Sequence, residues 1–362
     1  MKVKTQILQE MLTKAVRGSV PNKMLPITGL IGIKNTEDDK LVLITTDGTN
    51  YLYVSHNIDE TSNLDISVDV EKFSKLISKF TSEDVVLDVN DGVLKIIGNG
   101  QYKMGLELDD NQEIIKYPDP VKKAKLDNPI SVATEDIRSV LQFNKPALAV
   151  ASDDNCYGNY FIDNNSVIST DSFKLCGNGI SVNVESPILI APNTMELLAN
   201  VTDENITLTF GEGVVCFTSS DITVYSVNPN GVEDYTRTVG KVRKVIDTDL
   251  TSNCRVSKTE LISLLERVSL FVGPYDKNII TLEFTEDCIE VSSKDNSAVD
   301  TIEYKEAQDT TPYTCNLDVS MFLSLIKSQT SDYLNIYYGK SDTGVIKLVD
   351  GDVSQVLALA VN

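Results

Sequence analysis

Residues Ser186–Thr218 carry a pattern that this chain states three times, and a pattern repeated at domain length predicts tandem domains of one kind. Within it, Ile188–Ile190 reads as a short strand. Asn193, with Glu196 three residues on, supplies an N-cap and a capping-box partner for a brief helix. Leu197, Leu198 and Val201 are that helix's apolar side. A polar turn, an alternating strand Ile206–Phe210, a Gly-Glu-Gly turn and a returning strand Val214–Thr218 complete the pattern. Upstream, Asp69 is the cap, Phe73, Leu76, Ile77 and Phe80 are the apolar face, and Asn90-Asp91-Gly92 is the hairpin turn. Downstream, Asp318 caps, Phe322, Leu325 and Ile326 face inward, and Thr343-Gly344 lies in the turn.

Each statement has a preceding half. Lys4–Arg17 reads as an amphipathic helix, followed by a hairpin of LPITGLIGI with KLVLITTD and a strand around Asn50–Ser55. Thr134–Asn144 opens the second copy with Ile137, Val140 and Leu141 as its stripe, and strand Asp221–Asn228 closes it. Ser257-x-x-Glu260 is a capping box that opens the third, and strand Gln355–Val361 ends it. Each copy reads as helix, three strands, helix, three strands. Asp47, Asp171 and Asp295 fall at equivalent places, by subtraction 124 residues apart. The expected class is α+β, with helices on one side of antiparallel sheets. The expected domains are 1–119, 127–247 and 252–362. The stretch Asp109–Asp127, with Pro118, Pro120 and Lys122, Lys123 and Lys125, reads as a linker, and Val232–Asp249 carries the chain between copies two and three.

Composition narrows the function classes. No apolar run approaches membrane-spanning length, and no basic-then-apolar leader precedes the first helix. Cys156, Cys176, Cys216, Cys254, Cys288 and Cys315 stand singly in apolar surroundings, which reads as reduced, buried thiols without a metal site. The net charge of −21 argues against a protein that grips DNA to read its sequence. It permits one that surrounds DNA without gripping it. No enzyme is read here: the one histidine, His56, has no partner motif, and Thr46-Asp47 and Thr170-Asp171 read as turn chemistry.

Leu25-Pro26-Ile27, Thr46-Asp47-Gly48, Thr170-Asp171-Ser172-Phe173-Lys174-Leu175 and Asp234-Tyr235 with Arg237, in this order within a triple repeat, carry a resemblance. The chain resembles the bacterial DNA polymerase sliding clamp, the polymerase III β-subunit family, over its whole length. Family members have Gly and His where Ser172 and Phe173 stand, and Phe-Pro where Val232-Glu233 stand. Their Met-Pro-Met-Arg-like tail is replaced by Ala-Leu-Ala-Val. Such divergence suits a clamp encoded by a virus or mobile element.

The resemblance implies three clamp domains per chain and two chains closed head-to-tail, helices inside and sheets outside. Such a homodimeric ring encircles duplex DNA and tethers a DNA polymerase, is opened by a clamp loader, works in the bacterial or infected-host cytoplasm, and needs no cofactor, metal or membrane. It implies a peptide cleft between copies two and three, involving Tyr157, Thr170, Ser172, Phe173, Lys174 and Leu175. Arg237, Thr238, Met321 and the tail residues Leu357, Ala358 and Leu359 belong to the same cleft.

Sparse positive charge on inner helices is the other requirement. Lys72, Lys75 and Lys79 recur at helical spacing away from the apolar face, as do Arg138, Gln142 and Lys145. Lys14, Lys23, Arg267 and Lys327 are further candidates. On residues alone, these are equally solvated cations of amphipathic helices. Tyr102–Leu108, including Lys103, Met104 and Leu106, is an edge strand in need of a partner. The resemblance sets it against the third domain of another subunit, where Leu270, Phe271, Glu303 and Glu306 lie. Two other readings stay open: a triplicated β-rich scaffold or adaptor that does not encircle DNA, and an acidic hydrolase using paired carboxylates.

Overall fold

The computed structural model of the chain describes all residues except 37–38, 59–61, 109–110, 112, 118–126, 151–155, 212, 274–277 and 361–362, and only the backbone of 127–128. Most of the expected linker, with its lysine cluster, and the end of the last expected strand lie outside the described residues.

The first copy begins with β1 (Lys2–Lys4) and α1 (Thr5–Ala15), then β2 (Leu30–Asn35), β3 (Lys40–Thr46) and β4 (Asn50–Asn57). The order recurs at once: β5 (Asp65–Asp69), α2 (Val70–Ile77), β6 (Asp84–Asn90), β7 (Val93–Ile97), β8 (Gln101–Gly105). The second copy has β9 (Asp127–Ala133), α3 (Thr134–Asn144), β10 (Tyr160–Asp163), β11 (Ser166–Thr170) and β12 (Lys174–Gly179). Its second half has β13 (Ile188–Ile190), α4 (Pro192–Ala199), β14 (Asn205–Gly211), β15 (Val214–Thr218) and β16 (Ile222–Val227). After α5 (Val232–Ile246), the third copy runs β17 (Ser252–Ser257), α6 (Lys258–Ser269), β18 (Ile279–Phe284), β19 (Cys288–Ser293) and β20 (Val299–Glu303). A short β21 (Glu306–Gln308) leads to β22 (Tyr313–Asp318), α7 (Val319–Ser328), β23 (Tyr333–Tyr338), β24 (Val345–Asp350) and β25 (Val353–Ala358).

The repeated module is thus a leading strand, a helix and a three-strand meander, used six times. The expected α+β class with three tandem copies is what the chain forms. The leading strands do the joining. Each pairs with the meander of its copy's other half: β1 with β6 and β5 with β2, β9 with β14 and β13 with β10, β17 with β23 and β22 with β18. Among the described residues all ladders are antiparallel, and four sheets have four, nine, eight and four strands.

Two compact units emerge, Met1–Thr134 with Asn200–Asn228, and Glu135–Ala199 with Pro229–Asn362. In the first, Leu8, Met11, Leu12, Phe73 and Ile77 are buried beneath α1 and α2. A satellite cluster of Leu30, Val42, Ile44 and Tyr117 packs over β2 and β3, with Tyr117 lying on Gly32, where a Cβ would meet the ring at 2.9 Å. In the second unit, α6 and α7 enclose Leu264, Leu265, Phe322 and Leu325 against Ile336, Leu348 and Leu357. A separate cluster joins Phe161, Leu175 and Val356 to Tyr235, Val239 and Ile246 of α5.

The caps form as their chemistry demands. Asp69 accepts from the Lys72 amide at 2.7 Å, Ser257 from Glu260 at 3.4 Å, and Asp318 from Met321 at 3.0 Å. Each such cap stabilises its helix by about 1 kcal/mol. Asn193 differs: α4 starts at Pro192, whose fixed φ suits a first helical position, so Asn193 falls inside the first turn. Glu196 accepts from Lys145 at 2.6 Å. Pro26 has a similar effect upstream, where Pro26–Gly29 is a 3₁₀ turn and the strand begins only at Leu30. No helix among the described residues is long and apolar enough to cross a membrane.

Candidate functional site

One turn recurs in all three copies. The Thr46 hydroxyl accepts from the Gly48 amide at 3.1 Å, and Asp47 Oδ1 from the amides of Thr49 and Asn50 at 2.8 and 2.7 Å. The Thr170 hydroxyl accepts from Ser172 at 2.9 Å, and Asp171 Oδ1 from Phe173 and Lys174 at 2.9 and 2.6 Å. In the third copy Asp295 Oδ1 accepts from Ser297 at 3.0 Å. The residue after each aspartate is left-handed: Gly48, Ser172 and Asn296 have φ of 96°, 78° and 57°. Hydrogen bonds from the Ser297 hydroxyl and amide and the Ser293 hydroxyl hold the Asp295 carboxyl down to about 2. The aspartates are therefore turn-closing acceptors, as the residue pattern predicts.

The second of these turns projects the residues expected at a peptide cleft. Phe173 is 58% exposed at its tip, while Leu175, two residues on, is buried. Lys174 is tied down: its Nζ donates to the Pro146 carbonyl at 2.5 Å and stands 3.3 Å from Asp171. β12 pairs with β25, Lys174 opposite Leu357 and Leu175 opposite Val356. The seam continues past the ladder, where the Ala358 amide donates to the Phe173 carbonyl at 2.8 Å. Leu357 is buried in the core of the third copy, against which Met321 and Leu359 are half-buried. Tyr157 donates to the Thr238 hydroxyl at 3.0 Å and meets the Tyr235 ring edge-on at 5.0 Å. Arg237 is exposed and paired with Asp234 at 2.9 Å.

Helix α5 stands where the sequence reads only as a connecting segment. Val232, Tyr235, Val239, Val242 and Ile246 recur at helical spacing, a stripe that signals a helix even among Thr and Val residues of weak propensity. Glu233 and Asp234 open it and Arg243 and Lys244 close it, matching the helix dipole. It packs over β12 and β25, with Tyr235 stacked on Phe161 at 4.6 Å. Burial pushes the Tyr235 hydroxyl pKa up. Arg243 fastens its far end to Asp163 at 3.0 Å.

The nine candidate cations divide. Lys14 pairs with Asp221, Lys75 with Glu71, Arg138 with Glu135, Lys145 with Glu196, Arg267 with Asp300 and Lys327 with Glu266. Lys23, Lys72 and Lys79 are exposed and make no ion pair among the described residues. Arg138 and Lys145 line one open groove of about 620 Å³ with Leu141, Gln142, Pro146, Ala199 and Ser324. Lys14–Asp221 is half-buried; the other pairs are more exposed and each worth at most about 1 kcal/mol, so a competing anion can displace the carboxylate at little cost.

Among the described residues, the two four-stranded sheets end in open edges. β8 carries exposed Tyr102 and Lys103, with Leu108 exposed just beyond it. Met104 and Leu106 are buried within the chain's own first copy. β20 carries exposed Val299 and Glu303; near its sheet, Leu270 is 82% and Phe271 56% exposed. Glu306, on β21, pairs with Arg255 at 3.2 Å.

All six cysteines are free, and burial pushes the Cys254 and Cys315 thiols up to about 12. Among the described residues, no group of three or more His, Cys, Asp or Glu side chains stands where it could hold a metal ion.

No family model matches the sequence, and no curated protein matches it. Solved structures do. The β subunit of DNA polymerase from Streptococcus pyogenes superposes with a TM-score of 0.85 at 15% identity, over 100% of this chain and 99% of that one. The DNA polymerase sliding clamp of Bacillus subtilis gives 0.81 at 14%, over 100% and 98%. The DNA polymerase III β subunit of Thermotoga maritima gives 0.80 at 16%, over 100% and 99%. The fold, from end to end, is that of the bacterial sliding clamp. At these identities the likeness is one of fold, carried by a divergent sequence.

Proposed function

We propose that this chain is a DNA polymerase processivity factor: a clamp of three domains, at 1–119, 127–247 and 252–362, that dimerises head-to-tail into a ring around duplex DNA. One observation carries the reading. At both internal seams, the third strand of a copy's first meander pairs with the third strand of the next copy's second meander: β4 with β16, and β12 with β25. Among the described residues, that rule leaves β20 and β8 without a neighbour inside the chain. Both are open, both carry exposed apolar side chains, and Lys103 on one complements Glu303 on the other. Long open edges are aggregation hazards unless something pairs with them. A second copy meets the rule in both directions and closes the assembly after six meander pairs, as head-to-tail contacts must close or polymerise.

A ring explains the charge. A net charge of −21 opposes adhesion to DNA, and threading needs none. Lys23, Lys72 and Lys79, with the displaceable pairs of the other helices, supply loose phosphate contact. The seam around Phe173, Arg237, Met321 and Leu359 supports a cleft for a short apolar peptide of a polymerase or loader, its exposed aromatic serving as anchor. The chemistry is tethering, not catalysis, in the cytoplasm of a bacterium or an infected host. Solution mass tests closure: two chains are expected, with monomer released by Leu270→Asp plus Phe271→Asp. A monomeric native protein refutes it.

A further inference from the structure

A glutamine is buried at the centre of β25, where its neighbours Val353, Val356 and Leu357 are apolar. At the equivalent seam position of the first unit, opposite Leu52, stands Val224; opposite Cys176 stands Gln355. Both pairs follow their turn aspartate by the same interval. The substitution is therefore local to one seam, and it is fully hydrogen-bonded. Gln355 Nε2 donates to the Phe143 carbonyl at 2.7 Å and to the Ser328 hydroxyl at 2.8 Å. Its Oε1 accepts from Gln329 Nε2 at 2.6 Å. Gln142 Nε2 donates to the Ser328 carbonyl at 2.8 Å, closing the link between α3 and α7.

We propose that Gln355 is a positioning residue that couples the DNA-facing ends of α3 and α7 to the strand forming the partner cleft. Phe143 lies two residues before Lys145, and Ser328 directly follows Lys327, both candidate phosphate contacts. Two residues beyond Gln355, Leu357 and Ala358 meet Lys174 and Phe173. A displacement of either helix end when a phosphate draws Lys145 or Lys327 away from its carboxylate is thus felt at the Ala358–Phe173 hydrogen bond. A buried network with every member satisfied is stiff, and removing one member leaves donors and acceptors without water. By linkage, what DNA does to the cleft strand, a peptide in the cleft does to DNA contact. This coupling rests on the clamp reading; the geometry of the bridge does not.

Hydrogen exchange followed by mass spectrometry tests it on the full-length protein, with Gln355→Val, which copies the other seam, and Gln329→Leu, which removes the donor to Gln355 Oε1 and leaves the Phe143 and Ser328 partners in place. Without ligand, exchange at the amides of Ala358 and Leu359 and at the ends of α3 and α7 is expected to quicken about tenfold, with β17 and β23 unchanged. With a 30-base-pair duplex at low salt, exchange at Ala358 is expected to change in the native protein and not in either variant. Uniform quickening throughout the second unit, or unaltered protection at Ala358, makes Gln355 a mere core residue and overturns the proposal. Should Gln355→Val fail to fold, Gln329→Leu decides by the same two criteria. Bound duplex without any response at Ala358 overturns the coupling alone. Failure of the loaded protein to stay on closed circular DNA overturns the clamp reading, and the coupling with it.

Discussion

The amide of Ala358 donates to the carbonyl of Phe173 across 2.8 Å, lacing the last strand of the third copy onto a turn of the second. Backbone at this seam is fixed while the Phe173 ring stands free. Phe173→Ala is therefore expected to change stability by less than about 0.5 kcal/mol. Leu357→Ala, in the core beside it, is expected to cost about 2–5 kcal/mol. Urea denaturation measures both, and equal losses would contradict the assignment of one to surface and the other to core.

Ser172 occupies the left-handed position that glycine holds in the first copy, with φ of 78° against 96° for Gly48. Serine there carries strain that glycine does not. Ser172→Gly is expected to raise stability by up to about 1 kcal/mol, and Gly48→Ser to lower it comparably. Thermal unfolding of the pair checks the sign; a destabilised Ser172→Gly would show that the Ser172 side chain has an overriding contact.

Asp295 gives a pH signature. Its carboxyl ionises at about 2 in the folded chain, below the ordinary 3.8, so its contribution to stability is complete above about 4. It is lost as pH falls from there through 2. Asp203 shifts the same way, through bonds from the Ser220 amide and hydroxyl. Carboxylate titration by NMR is expected to place Asp295 well below the ordinary 3.8, and Asp295→Asn is expected to flatten the acid limb of the stability curve.

Positive charge on α2 and the turn that follows it has a testable division of labour. Lys72 and Lys79 are unpaired among the described residues, whereas Lys75 is held by Glu71. Replacing both Lys72 and Lys79 by Glu is expected to weaken equilibrium binding to a short linear duplex and to lower its salt slope by about 0.9 for each phosphate no longer neutralised, with dimer mass unchanged. Duplex affinity that ignores the exchange removes these residues from the DNA-facing surface.

Much of this was readable in the residues, for reasons that differ by element. Capped helices announce themselves, so Asp69, Ser257 and Asp318 mark helix starts within a residue. The aspartates at 47, 171 and 295 mark the turns because Asx chemistry is local. What pairing decides was less legible. The leading strands, three to seven residues long, are stabilised by the meander of the other half, and nothing near them in sequence records that. Val232–Ile246 interleaves its Glu, Lys and Arg residues with Gly240 and β-branched Thr and Val, and its stripe gains meaning only against the sheet it covers. Four of the six carboxylate partners of the cations come from distant segments, as Asp221 does for Lys14, so the lysines alone overstate the free charge. Gln355 sits in an apolar strand and gives no local sign of a network drawn from residues 143, 328 and 329.

Topology is the most direct test of all. The protein assembled with its loader on nicked circular DNA is expected to stay bound through a high-salt wash and to be released when a single cut linearises the circle. Equal retention on circular and linear DNA, or loss to salt regardless of DNA form, would mean that the protein adheres to DNA or ignores it and encircles nothing.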